Sequence, residues 1–268
     1  GIVRLELRKV LFSRRALIGW GLAGAPVFLI AARTVAVLIF GLGENGGALV
    51  LPSLMEEEKI YAQIYQTLIL RLSLFFGCTA IFLGLIRGEV NERSLHYYLL
   101  APLKREVLVA GKFLGGWIGA FTLFGLSTLA TRLPMLAFAP SGALGTMASA
   151  PWLSNTLAYL GITALACLGY GAVFLAVGVS RVNPIIPTLV LFGWESINIF
   201  LPAVLKQISV IYYLTSLCPV PLDLGPVAIL GTPVPALVAL AGLVALTAAL
   251  LAWSMRRSRH LEIDYGDE

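Results

Sequence analysis

An all-α, polytopic membrane protein with about six transmembrane helices is the fold class this sequence predicts, and three observations predict it. Of 268 residues, 59% are hydrophobic and only 12% charged, whereas soluble domains carry about 25% charged residues. The polar residues are confined to short stretches between apolar runs of roughly 18–25 residues, the length that crosses a bilayer. The basic residues gather at the ends of those runs, so the formal charge of +5 points to membrane lipids and not to nucleic acid.

The elements come in the following order. Residues Gly1 to Arg15 interleave apolar residues with Arg4, Arg8, Lys9, Arg14 and Arg15, the pattern of an amphipathic interfacial helix on an anionic membrane surface. Too many charges stand there for a cleavable signal peptide, so this segment is expected to be retained. A transmembrane domain then occupies 16–268. Its first span runs from about Ala16 to Phe40 and carries Pro26 and Arg33, the latter near the far interface where a long side chain can snorkel. A polar connection from Gly41 to about Gln66, with Glu44, is expected outside and leads to a second span ending near Ile86; its run Glu56, Glu57, Glu58 reads as a solvated helix start. Residues 87–112 form a strongly charged segment, and a third span covers about Phe113 to Ala130. A connection from Thr131 to Asn155 leads to a fourth span, about Thr156 to Ser180. Only Arg181 to Pro184, a tight Asn-Pro turn, separates it from a fifth, about Ile185 to Val204. The stretch from Leu205 to Pro235 is apolar but holds five prolines, which suits re-entrant segments buried against protein. The last span covers about Ala236 to Ser254, and 255–268 form a tail.

Basic residues near span ends set the orientation. The N-terminal stretch holds five, 87–112 another five, the tight turn one and the tail three of the nineteen, all on one side of a six-span topology. Both termini are therefore expected to be cytoplasmic, in a plasma (inner) membrane.

Catalytic arrangements are absent from the sequence: no HExxH, no GxSxG and no zinc-like spacing of Cys78, Cys167 and Cys218 or of His96 and His260. No metal and no cofactor of its own is expected. Gly111-Lys112 looks like the end of a phosphate loop, but Glu106 stands for its first glycine and Phe113 for its Ser or Thr. The informative stretch is Ile86 to Gly115, IRGEVNERSLHYYLLAPLKREVLVAGKFLG. A charged turn followed by Leu95, Tyr98, Leu99 and a stop at Pro102 describes a short helix able to dock in a partner's groove, or a solvated loop.

This stretch resembles the signature of permease subunits of the type 2 ABC export family. The matching positions are Glu89 and Glu92, Ser94 and Leu95, then Leu99, Leu100, Pro102 and Arg105, then Gly111 and Lys112. The likeness extends to the basic N-terminal helix, the six spans and the broken segments before the last. His96, Tyr97 and Tyr98 stand where family members vary. The resemblance implies that Glu89, Glu92, Arg93, Ser94, Leu95, Tyr98, Pro102 and Arg105 couple this chain to an ATPase. It also implies two copies of an ABC ATPase subunit, which would bind ATP and Mg, and a second permease copy or a related permease. The chain itself would be no enzyme.

Charges within spans are costly and face protein or a path. Glu195, beside Trp194, Ser196 and Asn198, is expected either to pair with Arg71 or Arg33 or to line a pathway. The small residues Gly21, Ala23, Gly24 and Gly115, Gly116, Gly119 are expected to let helices approach closely. The competing readings are a non-transporting anchor or assembly subunit and, with less support, a secondary transporter.

Overall fold

The computed structural model describes residues 2–13, 16–40, 53–91, 105–138, 142–180, 183–222 and 234–258. The regular elements among them are helical, without strands. Among the described residues, five helices are long and apolar enough to cross a membrane.

Helix α1 (Ile2–Phe12) does more than rest on lipid, because it turns Glu6 and Val10 inward, both buried. After it, α2 (Ala16–Phe40) holds its continuity through Pro26. Helix α3 (Leu54–Ile64) starts earlier than the sequence suggests, because Ser53 and Glu56 form a capping box that satisfies two backbone N–H groups at once. Without a break, α3 passes into a π-helix, Tyr65–Leu74, and then α4 (Phe75–Asn91). Helix α5 (Arg105–Arg132) ends where Pro134 forbids a continued α-helical ladder, and a 3-10 turn, Leu133–Phe138, takes over. The connection expected from Thr131 to Asn155 is thus mostly helical, with α6 (Gly142–Met147) and α7 (Ala150–Val179), whose Pro151 sits in the first turn where its missing N–H costs nothing.

The expected fifth span is shorter than the sequence suggests. Helix α8 (Ile185–Ser196) has 12 residues, about 18 Å at 1.5 Å per residue, against the roughly 30 Å of a bilayer core. A 3-10 turn (Asn198–Phe200), the single turn α9 (Ala203–Lys206) and α10 (Val210–Ser216) come next. Of the stretch expected to re-enter, residues 223–233 lie outside the described residues. Helix α11 (Ala236–Ser258) closes the fold.

Side-chain pairings give the directions. Gly19 faces Leu123, and Ser127 Oγ donates to Ala23 O, so α2 and α5 run the same way. Tyr61 meets Thr131 at one end, while Lys112 Nζ donates to Leu85 O at the other, so the α3–α4 rod runs opposite to α5. Helix α7 shares that opposite direction, since Arg132 meets Thr156 and Thr128 meets Thr163.

At the centre, Phe75 packs its ring 5.5 Å from Tyr170, 5.0 Å from Phe174 and 5.4 Å from Phe192, joining the rod, α7 and α8 by edge-to-face and tilted contacts. The small residues split in role. Gly116 and Gly119 take the side chains of Phe82 and Val10, whereas Gly21 and Gly24 face open space. The tightest approach among the described glycines is at Gly77, where a Cβ would overlap the Phe124 ring. Gly77→Ala is therefore expected to destabilise the bundle by about 1–3 kcal/mol through overpacking, read as a lower melting temperature in detergent. An unchanged melting temperature would show that α4 and α5 can separate there without loss.

Candidate functional site

Three polar constellations stand within this apolar bundle. At one end the adjacent glutamates of α3 are gripped by arginines from two other helices. Arg33 donates from Nη1 and Nη2 to Glu57 at 2.7 and 2.8 Å, and Arg132 donates from Nη2 and Nη1 to Glu58 at 2.7 and 2.8 Å. Both are two-pronged pairs, the strongest geometry a guanidinium and a carboxylate adopt. Arg132 is fully buried, with its charge 4.9 Å from the Tyr61 ring, 5.5 Å from Trp152 and 5.6 Å from Tyr159. The glutamate run is thus only partly a solvated helix start: Glu56 caps the helix in the open, while its two neighbours tie α3 to α2 and α5.

At the opposite end, Lys112 donates to Glu6 Oε1 at 2.9 Å and to Leu85 O at 3.1 Å. Lysine and glutamate are both buried. One ammonium therefore joins α1, α4 and α5 beside the charged segment between the latter two. Of the residues singled out in that segment, Glu89 falls in the last turns of α4 and Arg105 opens α5. Glu92, Arg93, Ser94, Leu95, Tyr98 and Pro102 lie outside the described residues.

The third constellation lies at the break between α8 and α10. Glu195, 7% exposed, accepts from Ser209 Oγ at 2.8 Å, from Val210 N–H at 3.0 Å and from Ile211 N–H at 2.9 Å. Its carboxylate thus replaces the missing turn of helix before α10 and meets the positive end of that helix. Arg71, in the π-helical stretch, donates from Nη1 to Ser196 O at 3.3 Å, placing a cation on the carbonyl end of α8 where the dipole favours one. Two helix ends buried in apolar surroundings are in this way each given a side chain of opposite sign. Arg33 is engaged with Glu57 at the far end, so of the two arginines expected near Glu195 only Arg71 is in its electrostatic reach. The contact between them runs through the backbone of the next residue and not through a direct ion pair.

Tyr170 on α7 stands beside this pair, within the influence of both charges and with its buried hydroxyl next to the Glu195 carboxylate; the buried Trp194 Nε1 and Asn198 Nδ2 have no hydrogen-bond partner. Sequence reasoning passed over Tyr170 and Ser209. The signal available for Ser209 was its place just before the apolar-aromatic run Val210 to Leu214, an N-cap position; nothing in the local sequence marks Tyr170. Among the described residues no group of three or more His, Cys, Asp or Glu comes together, so the break supplies charge and hydrogen bonds. Comparison with protein-family models, with curated proteins and with solved structures gives no match.

Proposed function

We propose that this chain is the membrane-spanning permease subunit of an ATP-driven exporter of the type 2 ABC family. The observation that carries the reading is the sequence from Glu89 to Lys112, which resembles that family's coupling segment and joins two long helices. The Lys112 bridge supports it. Any push on the segment is delivered at the point where one ammonium holds α1, α4 and α5 together, so the motion passes to three helices and not to a loose loop. On this reading ATP and Mg are bound by two copies of a partner ATPase, and a second permease, identical or related, completes the path. Both termini face the cytoplasm, as the basic residues ask. The exported molecule is small and apolar or amphipathic.

A second reading, a transporter driven by an ion gradient, draws on the break itself, because discontinuous helices with buried charges at mid-depth are the usual seat of coupling sites in that class. One experiment separates the two. The protein is purified from its native membrane in lipid, copurifying subunits are identified by mass spectrometry, and ATP hydrolysis is compared for the native chain, Glu92→Ala and Tyr98→Ala. A copurifying ATPase that either substitution uncouples or releases is the expected result. Absence of any ATPase, with both substitutions silent, would overturn the exporter reading and leave the gradient-driven transporter or a non-transporting anchor subunit.

A further inference from the structure

The hydrogen-bonding balance at the break between α8 and α10 is uneven. Both oxygens of Glu195 are engaged, and by three donors from a single stretch, Ser209 to Ile211. Arg71 has one acceptor at 3.3 Å, although a guanidinium carries five N–H donors. No carboxylate among the described residues lies within ion-pair distance of Arg71. The donors left over nearby are Trp194 Nε1 and Asn198 Nδ2, both buried and unbonded, while the Tyr170 hydroxyl stands against Glu195. The surplus is therefore one of donors around a cation. A buried donor without an acceptor costs about 1–3 kcal/mol, so an arrangement of this kind is completed by a group rich in acceptors.

The surroundings say what that group is attached to. Arg71 is only partly buried, whereas Tyr170 beside it is closed off. Around the break the exposed side chains among the described residues are Leu72, Ile197, Phe200, Val204, Leu205 and Ile208, with Pro202 and Gln207, a mainly apolar border that suits a hydrocarbon chain. The π-helical stretch that carries Arg71 points the same way, since such departures from the α-helix recur at functional sites.

We propose that the break binds the anionic headgroup, a carboxylate or phosphate, of a single-chain amphiphile, held by Arg71 with Tyr170 behind it and its chain lying along the apolar border. As a statement about exported cargo this rests on the permease reading. As a statement about a binding site it stands by itself.

The test uses the purified chain in nanodiscs of neutral phosphatidylcholine, with dibromostearate as the probe. Bromine quenches nearby indoles, and Trp194 stands next to Glu195. The expected result is saturable quenching by the acid, with only a linear, unsaturable loss from dibromostearate methyl ester, which partitions into lipid but carries no charge. Arg71→Gln is expected to weaken the saturable phase by about tenfold or more, the worth of one hydrogen bond to a charged group, and Arg71→Lys to weaken it less. Equal behaviour of acid and ester, or an unchanged curve in Arg71→Gln, would overturn the proposal. Should Arg71→Gln not give a monodisperse protein, Tyr170→Phe decides: a weakened saturable phase upholds the site, and an unchanged one overturns it. No ATPase enters the measurement, so its failure is distinct from failure of the permease reading, which shows in copurification.

Discussion

Glu58→Ala is expected to be among the most destabilising single substitutions in the chain. It removes the carboxylate that receives two hydrogen bonds from Arg132 and leaves a guanidinium of 0% exposure with Thr156 Oγ1 at 3.3 Å and the Met135 sulfur at 3.7 Å. Neither carries a charge. The three surrounding rings attract the cation through their faces, but their contribution is about 0.5–2 kcal/mol each at most and does not replace water or a carboxylate. Removing one member of a buried pair costs about 3–5 kcal/mol, which for a chain of this size lowers the melting temperature by on the order of 10 °C.

The neighbouring pair provides the internal comparison. Glu57→Ala releases Arg33, whose side chain is 28% exposed and can turn toward water, so its cost is about 1 kcal/mol or less. Thermal unfolding in detergent, followed by size exclusion after heating, should therefore rank Glu58→Ala well below Glu57→Ala, though the two residues are adjacent and bear the same charge. The double variant Glu58→Leu with Arg132→Met should recover most of the loss, because apolar side chains of similar volume often replace a buried pair without penalty. If Glu58→Ala melts like the native chain, Arg132 finds another partner and the ring cage is no trap.

Much of this architecture could be read from residue order alone, because the bilayer imposes a length and a composition on every crossing. The apolar runs of α2, the rod, α5, α7 and α11 announce themselves for that reason. The features that stayed hidden have a common physical origin in distance along the chain. The run Glu56 to Glu58 looks solvated in any local window, and the arginines that claim two of its members stand 24 and 74 residues away. The break after Ser196 is concealed by the apolar composition of residues 197–217, since a span and a broken span bury the same kinds of side chain. Three local signs were nevertheless present: Ser196 and Asn198 in the middle of an apolar run, Pro202 within it, and Ser209 ahead of Val210. Together they describe a helix that stops and another that begins. The π-helical stretch has no sign of this sort in the sequence. The residues proposed to couple the chain to an ATPase are the reverse case, for they are distinct in sequence and stand, apart from Glu89 and Arg105, outside the described residues.

Glu195→Ala tests whether the break is a joint held by one side chain. The substitution leaves the Ser209 hydroxyl and the N–H groups of Val210 and Ile211 without their acceptor, in surroundings where little water can compensate. Each orphaned donor costs about 1–3 kcal/mol, though hydrogen bonds within membranes often measure nearer 0.6 kcal/mol because the unfolded reference also finds partners. A loss of about 3 kcal/mol is expected, localised at α10 and not spread over the bundle. Glu195→Gln keeps one carbonyl oxygen in place and should lose roughly half as much. Amide hydrogen exchange resolves the location, because segments open locally according to their own contacts. In Glu195→Ala the amides of Val210 and Ile211 should exchange on the order of 100-fold faster, equivalent to that free energy, while those of α7 around Thr163 stay as slow as in the native chain. Packing offers the competing account: Gly169 of α7 admits the Val210 side chain so closely that a Cβ there would lie 2.9 Å from it, and that contact alone could hold α10 in place. Unchanged exchange at Val210 and Ile211 would favour packing. Faster exchange there would make the Glu195 carboxylate the latch between α8 and α10, and any movement of α8 driven from the far end of the bundle would then reach α10 through that one side chain.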